Sequence, residues 1–79
     1  MPASVTVRLF ASLAETRGWR ERNCPLPAEP TVAAVWAATT GEPALPPRTL
    51  CARNLDYCDP GTRVVDGDEV AFFPPVTGG

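Results

Sequence analysis

Glu69-Val70-Ala71-Phe72-Phe73-Pro74-Pro75-Val76-Thr77-Gly78-Gly79 closes this chain, and its reading decides the rest. Val70 to Phe73 is apolar on both faces, the pattern of a strand with neighbours on either side. Val70 and Phe72 share one face; Ala71 and Phe73 share the other. Two prolines end the strand and bias the remaining residues towards an extended form. The last two residues have no Cβ, so the tip can thread a narrow channel and present an uncrowded carboxylate. The expectation is a folded domain over residues 1–73 and an extended, flexible tail over 74–79. Such a tail, at ~3.3 Å per residue, reaches ~20 Å from the sheet. The carboxylate carbon of Gly79 is the candidate reactive centre. Pro74, Pro75, Val76, Thr77 and Gly78 are the candidate delivery arm.

Upstream, Ser4 to Phe10 alternates. Val5, Val7 and Leu9 point one way and Thr6, Arg8 and Phe10 the other, as in a half-buried strand. Ala11 to Arg17 predicts a short helix stopped by Gly18. Trp19 to Leu26 predicts a returning strand, with Pro25 marking an edge or an end. Thr31 is placed to cap a second helix whose Val32, Val35 and Trp36 share a face, and Gly41 ends it. Glu42 to Arg48 holds three prolines and reads as a loop. Leu50 to Asn54 predicts a third strand, Tyr57 to Asp59 a small strand or turn, and Asp66-Gly67 a tight corner. The order fits the α+β class, a sheet with helices packed on one face and the other face partly open.

That open face suggests where function lies. Phe10 falls on the polar side of its strand. If the first and last strands are neighbours, Phe10 and Phe73 meet at the root of the tail and form an exposed apolar patch, the usual mark of a partner site. The competing expectation is that a loop or Tyr57 covers one of these rings. Asp66, Asp68 and Glu69 have neither calcium-loop spacing nor an obvious acid–base partner and read as a solvated turn. The arginines read as surface charges, with Arg8 and Arg53 placed to flank the open face.

Composition narrows the classes. The chain has 79 residues, 44 % of them hydrophobic and 20 % charged, as in one folded domain with a small core. A net charge of −2 argues against nucleic acid as the main partner. All seven basic residues are arginine, so the chain offers no side-chain amine to a reaction that modifies lysines. Cys24, Cys51 and Cys58 are widely spaced and no histidine is present, so no zinc site is expected and the cysteines read as reduced thiols. There is no 18-residue apolar run and no signal-peptide pattern; a cytoplasmic protein without a membrane partner is expected. No serine–histidine or cysteine–histidine set and no phosphate loop is present, so the chain alone is not expected to catalyse.

Taken together, Asp66 to Gly79 resembles the C-terminal signature of the small, sulfur-carrying subunit of molybdopterin synthase. Val7 to Gly18, the Pro30-Thr31-Val32 helix start and Leu50 to Asn54 resemble it more loosely. A terminal Gly-Gly alone is shared by ubiquitin and many relatives; the fourteen-residue block is more specific. The resemblance implies the ubiquitin-like β-grasp fold, a mixed sheet whose first and last strands are parallel neighbours. It implies that no cofactor is bound. An E1-like enzyme would use ATP to adenylate Gly79, and a sulfur donor protein would convert the adenylate to a thiocarboxylate. The tail would then enter the large synthase subunit, where sulfur passes to a cyclic pyranopterin monophosphate to build the molybdopterin dithiolene. Catalytic residues would lie on that large subunit, in a heterotetramer. Phe10, Tyr57 and Phe73 would form the docking surface, with Tyr57 replacing the aliphatic residue expected there. Sulfur carriage for thiazole or tRNA thiolation, and ubiquitin-like modification of lysines, are the alternatives.

Overall fold

A computed structural model describes residues 2–75. Five strands and two helices run in the order β1 (Ser4–Leu9), α1 (Ser12–Arg17), β2 (Glu21–Pro25), α2 (Val32–Thr40), β3 (Leu50–Arg53), β4 (Asp56–Cys58) and β5 (Glu69–Phe73). The strands form one mixed sheet in the order β2-β1-β5-β3-β4. β5 is central, parallel to β1 and antiparallel to β3, as its two apolar faces require. This is the ubiquitin-like β-grasp arrangement. No helix among the described residues is long and apolar enough to cross a membrane.

The core lies on the helix side of the sheet. Val5, Val7, Leu9, Val70 and Phe72 meet Leu13 and Ala14 of α1 and Val32, Val35 and Trp36 of α2 in one buried cluster. Phe72 meets Trp36 edge-on, with ring centroids 4.9 Å apart, a geometry that aligns the positive ring edge with the negative face. The Trp36 indole N–H donates to the Ala44 carbonyl at 3.1 Å. The proline-rich loop is thereby pinned over the core.

Helix ends have the expected caps, with two additions. The Thr31 hydroxyl accepts from the Ala34 N–H at 3.1 Å. The Val32 and Ala33 N–H groups, which Thr31 cannot reach, donate to the carbonyls of Thr62 and Pro60. The first turn of α2 is therefore satisfied largely by a distant downstream segment. Gly18 and Gly41 both take the left-handed conformation at the helix ends. α1 begins at Ser12 rather than at Ala11. Ala11 has φ 51° and ψ −131° and offers no side-chain cap, which turns the chain sharply out of β1 before the helix can start.

Strand boundaries differ from expectation at four places, the first being β1, which ends at Leu9 instead of Phe10. β2 is confined to Glu21–Pro25, the residues in register with β1, and Pro25 closes it on an edge. Asn54 is outside β3: with Leu55 it makes the two-residue turn into β4, and both residues have positive φ. The region Tyr57 to Asp59 yields a true strand, shifted to Asp56–Cys58.

Candidate functional site

The parallel pairing of β1 and β5 builds the open face. Its register sets Leu9 against Phe72, and the Phe10 N–H continues the ladder by donating to the Phe72 carbonyl at 3.2 Å. Phe10 and Phe73 therefore leave neighbouring strands on the same side. Their rings stack with centroids 4.6 Å apart and planes 13° from parallel. Phe10 remains 40 % exposed.

Tyr57 joins them from the far edge. It pairs with Ala52 of β3, which pairs with Ala71 of β5, so the three lie in one row across the sheet. The two alanines make a shallow floor between larger neighbours. The Tyr57 ring sits 6.2 Å from Phe73 and tilts 60° to it, yet Tyr57 is 76 % exposed. Tyr57 thus borders the Phe10–Phe73 stack instead of covering it. Leu50, directly opposite Phe73 in the register, extends the apolar surface and is 37 % exposed. Leu50 is an addition to the expected set, hidden in the sequence because β3 is short and mixed. Its alternation with Ala52 was the signal available.

Arg8 stands at the other end of the alanine row. Its guanidinium meets Glu69 at 2.7 Å and Glu21 at 3.3 Å, so both of its acidic neighbours belong to this chain. Arg53 does not flank the open face: its strand position matches Val70, on the helix side. It forms a 2.6 Å ion pair with Asp68.

Asp68 overturns the solvated-turn expectation. It is only 5 % exposed. Its carboxylate accepts from Arg53 Nε at 2.6 Å, Asn54 Nδ2 at 2.9 Å and the Val65 N–H at 2.8 Å. Burial pushes its pKa up, but the hydrogen bonds from Arg53, Asn54 and Val65 outweigh this and hold it below the ordinary carboxylate value. Asp66 accepts from the Ser4 N–H at 2.8 Å. The acidic turn is thus a clasp that ties β5 to β1 and to the β3–β4 hairpin.

β5 leads directly into the tail. Pro74 is half-buried and Pro75 is exposed, and neither is part of a helix or strand. Val76, Thr77 and Gly78, expected to complete a delivery arm, and Gly79, the expected reactive centre, lie outside the described residues.

Residues 7–79 match the model of the ThiS family, which is nearly the whole chain. The chain belongs to the ThiS family. Members are ubiquitin-like sulfur carriers that hold sulfur as a C-terminal thiocarboxylate after activation by E1-like enzymes. Among solved structures, SAMP1 from Haloferax volcanii is similar at 31 % identity and a TM-score of 0.81, over 96 % of this chain and 99 % of that one. A Pyrococcus furiosus protein assigned provisionally as molybdopterin converting factor subunit 1 is similar at 25 % identity and a TM-score of 0.72, over 94 % and 99 %. Small archaeal modifier protein 1 from Methanosarcina acetivorans, at 24 % identity and a TM-score of 0.74 over 100 % and 99 %, shares the fold. No curated protein sequence matches the chain significantly.

Proposed function

We propose that this ThiS-family chain is the small, sulfur-carrying subunit of a molybdopterin synthase. The observation that carries the proposal is the Phe10–Phe73 stack at the point where β5 enters the Pro-Pro-Val-Thr-Gly-Gly tail. The Asp66–Gly79 signature and the similarity to the Pyrococcus protein support the molybdopterin branch.

The chemistry comes from the residue types. A carboxylate is a poor electrophile until one oxygen becomes part of a good leaving group. Adenylation of Gly79 by an E1-like enzyme supplies that leaving group, and glycine leaves the carbonyl carbon open to a sulfur nucleophile. Hydrosulfide displaces AMP and leaves the thiocarboxylate directly. A donor protein's persulfide instead displaces AMP to leave an acyl disulfide, whose S–S bond a second thiol cleaves, releasing the thiocarboxylate. Its ionised sulfur is the nucleophile for the next transfer. Phe10, Tyr57 and Phe73 dock the domain on the large subunit. Residues 74–79 then carry Gly79 into a pocket whose acid–base groups belong to that subunit. Sulfur passes from there to a cyclic pyranopterin monophosphate.

The similarity to Haloferax SAMP1 supports a second reading, a modifier joined through Gly79 to lysines of other proteins. Reconstitution separates the two. The thiocarboxylated chain, mixed with a molybdopterin synthase large subunit and the pyranopterin precursor, is expected to yield dithiolene product. The chain lacking Gly79 is expected to yield none. Product formation without Gly79 contradicts the proposal. Gly79 found on target lysines, with no thiocarboxylate formed, establishes the modifier.

A further inference from the structure

Cys51 and Cys58, seven positions apart in sequence, are direct partners in the β3–β4 register. Both side chains lie on the helix side of the sheet. Cys51 is buried in the core, and Cys58 is half-buried and packed against it. The Cys51 thiol donates to the Cys58 carbonyl at 3.1 Å, and the Cys58 thiol donates to Cys51 Sγ at 3.7 Å. Opposed residues of an antiparallel pair have Cα atoms ~4.5–5.5 Å apart. This falls within the ~4.4–6.8 Å that a disulfide spans. A disulfide also needs Cβ atoms ~3.5–4.5 Å apart, so closing the sulfurs from 3.7 Å to ~2.05 Å takes side-chain rotation together with a small approach of β4 towards β3. Cys24 is different: its register partner is Val5, and its thiol donates to the Pro25 carbonyl.

We propose that Cys51 and Cys58 are a reversible redox pair that closes a cross-strand disulfide with a low-molecular-weight disulfide such as oxidised glutathione. The more accessible Cys58 reacts first. Its thiolate attacks one sulfur of the oxidant, the oxidant's S–S bond breaks, and one glutathione thiolate leaves. Cys51 then loses its proton and attacks the Cys58 sulfur of the mixed disulfide, expelling the second glutathione thiolate. Two protein thiols are oxidised, one disulfide is reduced to two thiols, and the two protons end on the released glutathione. Burial and the neighbouring Cys58 push the Cys51 pKa up to about 12. Capping Cys58 as a mixed disulfide removes the part of that rise caused by its charge.

The bond lands where the sheet is least secured. β4 is a three-residue edge strand held by β3, and the turn between them places Leu55 at φ 74°. A disulfide there ties the edge to the sheet. It also fixes Tyr57, the residue before Cys58, beside Phe73.

The test uses the full chain carrying Cys24→Ser, treated with oxidised glutathione. Trypsin cuts after Arg48, Arg53 and Arg63, which puts Cys51 and Cys58 on separate peptides. The expected result is an intact mass lower by two hydrogens and a disulfide joining peptides 49–53 and 54–63. A melting temperature raised by roughly 5–10 °C and reversal of all three by dithiothreitol are also expected. The same chain with Cys58→Ser is expected to show none of these changes. A stable glutathione adduct on Cys58, disulfide-linked dimers, or an unchanged mass would each overturn the proposal.

Discussion

Phe72 and Phe73 are consecutive, chemically identical and on the same central strand, yet they are surrounded by different things. Phe72 is fully buried and meets Trp36 across the core. Phe73 points to the opposite face, stacks on a half-exposed Phe10 and leads into the tail. The period-2 geometry of a strand makes this division: one face is covered by two helices, the other is not. One ring holds the fold together. The other has no helix over it and is the ring assigned to a partner.

Substitution at Phe72 has the largest expected effect. Phe72→Ala empties the space between α2 and the sheet and is expected to cost about 3–5 kcal/mol, measured by denaturant unfolding. In a domain this small, that approaches the whole stability. Phe73→Asp separates the two faces. It is expected to leave the domain folded, at a cost of about 1–2 kcal/mol from the lost stack on Phe10, while weakening binding to the proposed large-subunit partner roughly 30-fold or more, the size of a hot-spot loss. Titration calorimetry alongside unfolding measures both. Loss of the fold in Phe73→Asp would show that both faces of β5 are structural.

A smaller effect tests the clasp beneath the strand. Asp68→Asn leaves a weaker acceptor facing Arg53, and a cost of about 1–2 kcal/mol at neutral pH is expected. Because the folded-state pKa of Asp68 is lowered, its contribution is fully present above the unfolded value of ~4 and is lost as pH falls through the folded value. Acid titration of stability should therefore show the gap between wild type and Asp68→Asn closing below about pH 4. A gap independent of pH would contradict the clasp.

Where one face of an element is dry and the other is not, the sequence was readable. The alternation of Val5, Val7 and Leu9 foretold which way Phe10 points. The two-faced apolar run of β5 foretold its central position. The i, i+3, i+4 spacing of Val32, Val35 and Trp36 foretold the face of α2, and all three are fully buried. What escaped depends on register between distant segments. Asp68 looks like a turn residue until β5 pairs with β3 and brings Arg53 and Asn54 to it. Cys51 and Cys58 look unrelated until a two-residue turn at Asn54-Leu55, which lacks the glycine that usually marks such turns, sets them opposite each other. Leu50 joins the apolar patch only through its pairing with Phe73. At the site itself, the nearness of Phe10 and Phe73 was legible from the strand alternation. Tyr57 lies beside Phe73 without covering it, and its place there depends on the β3–β4 register, which the sequence does not display. The chemistry assigned to Gly79 rests on the family and on the nature of glycine.

The most direct test is an intact mass of the full chain after incubation with an E1-like activating enzyme, ATP and a sulfur donor. The predicted result is replacement of one oxygen by sulfur, localised to Gly79 and abolished when Gly79 is removed. A chain that is adenylated but never gains sulfur, or that gains sulfur anywhere other than its terminal carboxylate, would contradict sulfur carriage on Gly79.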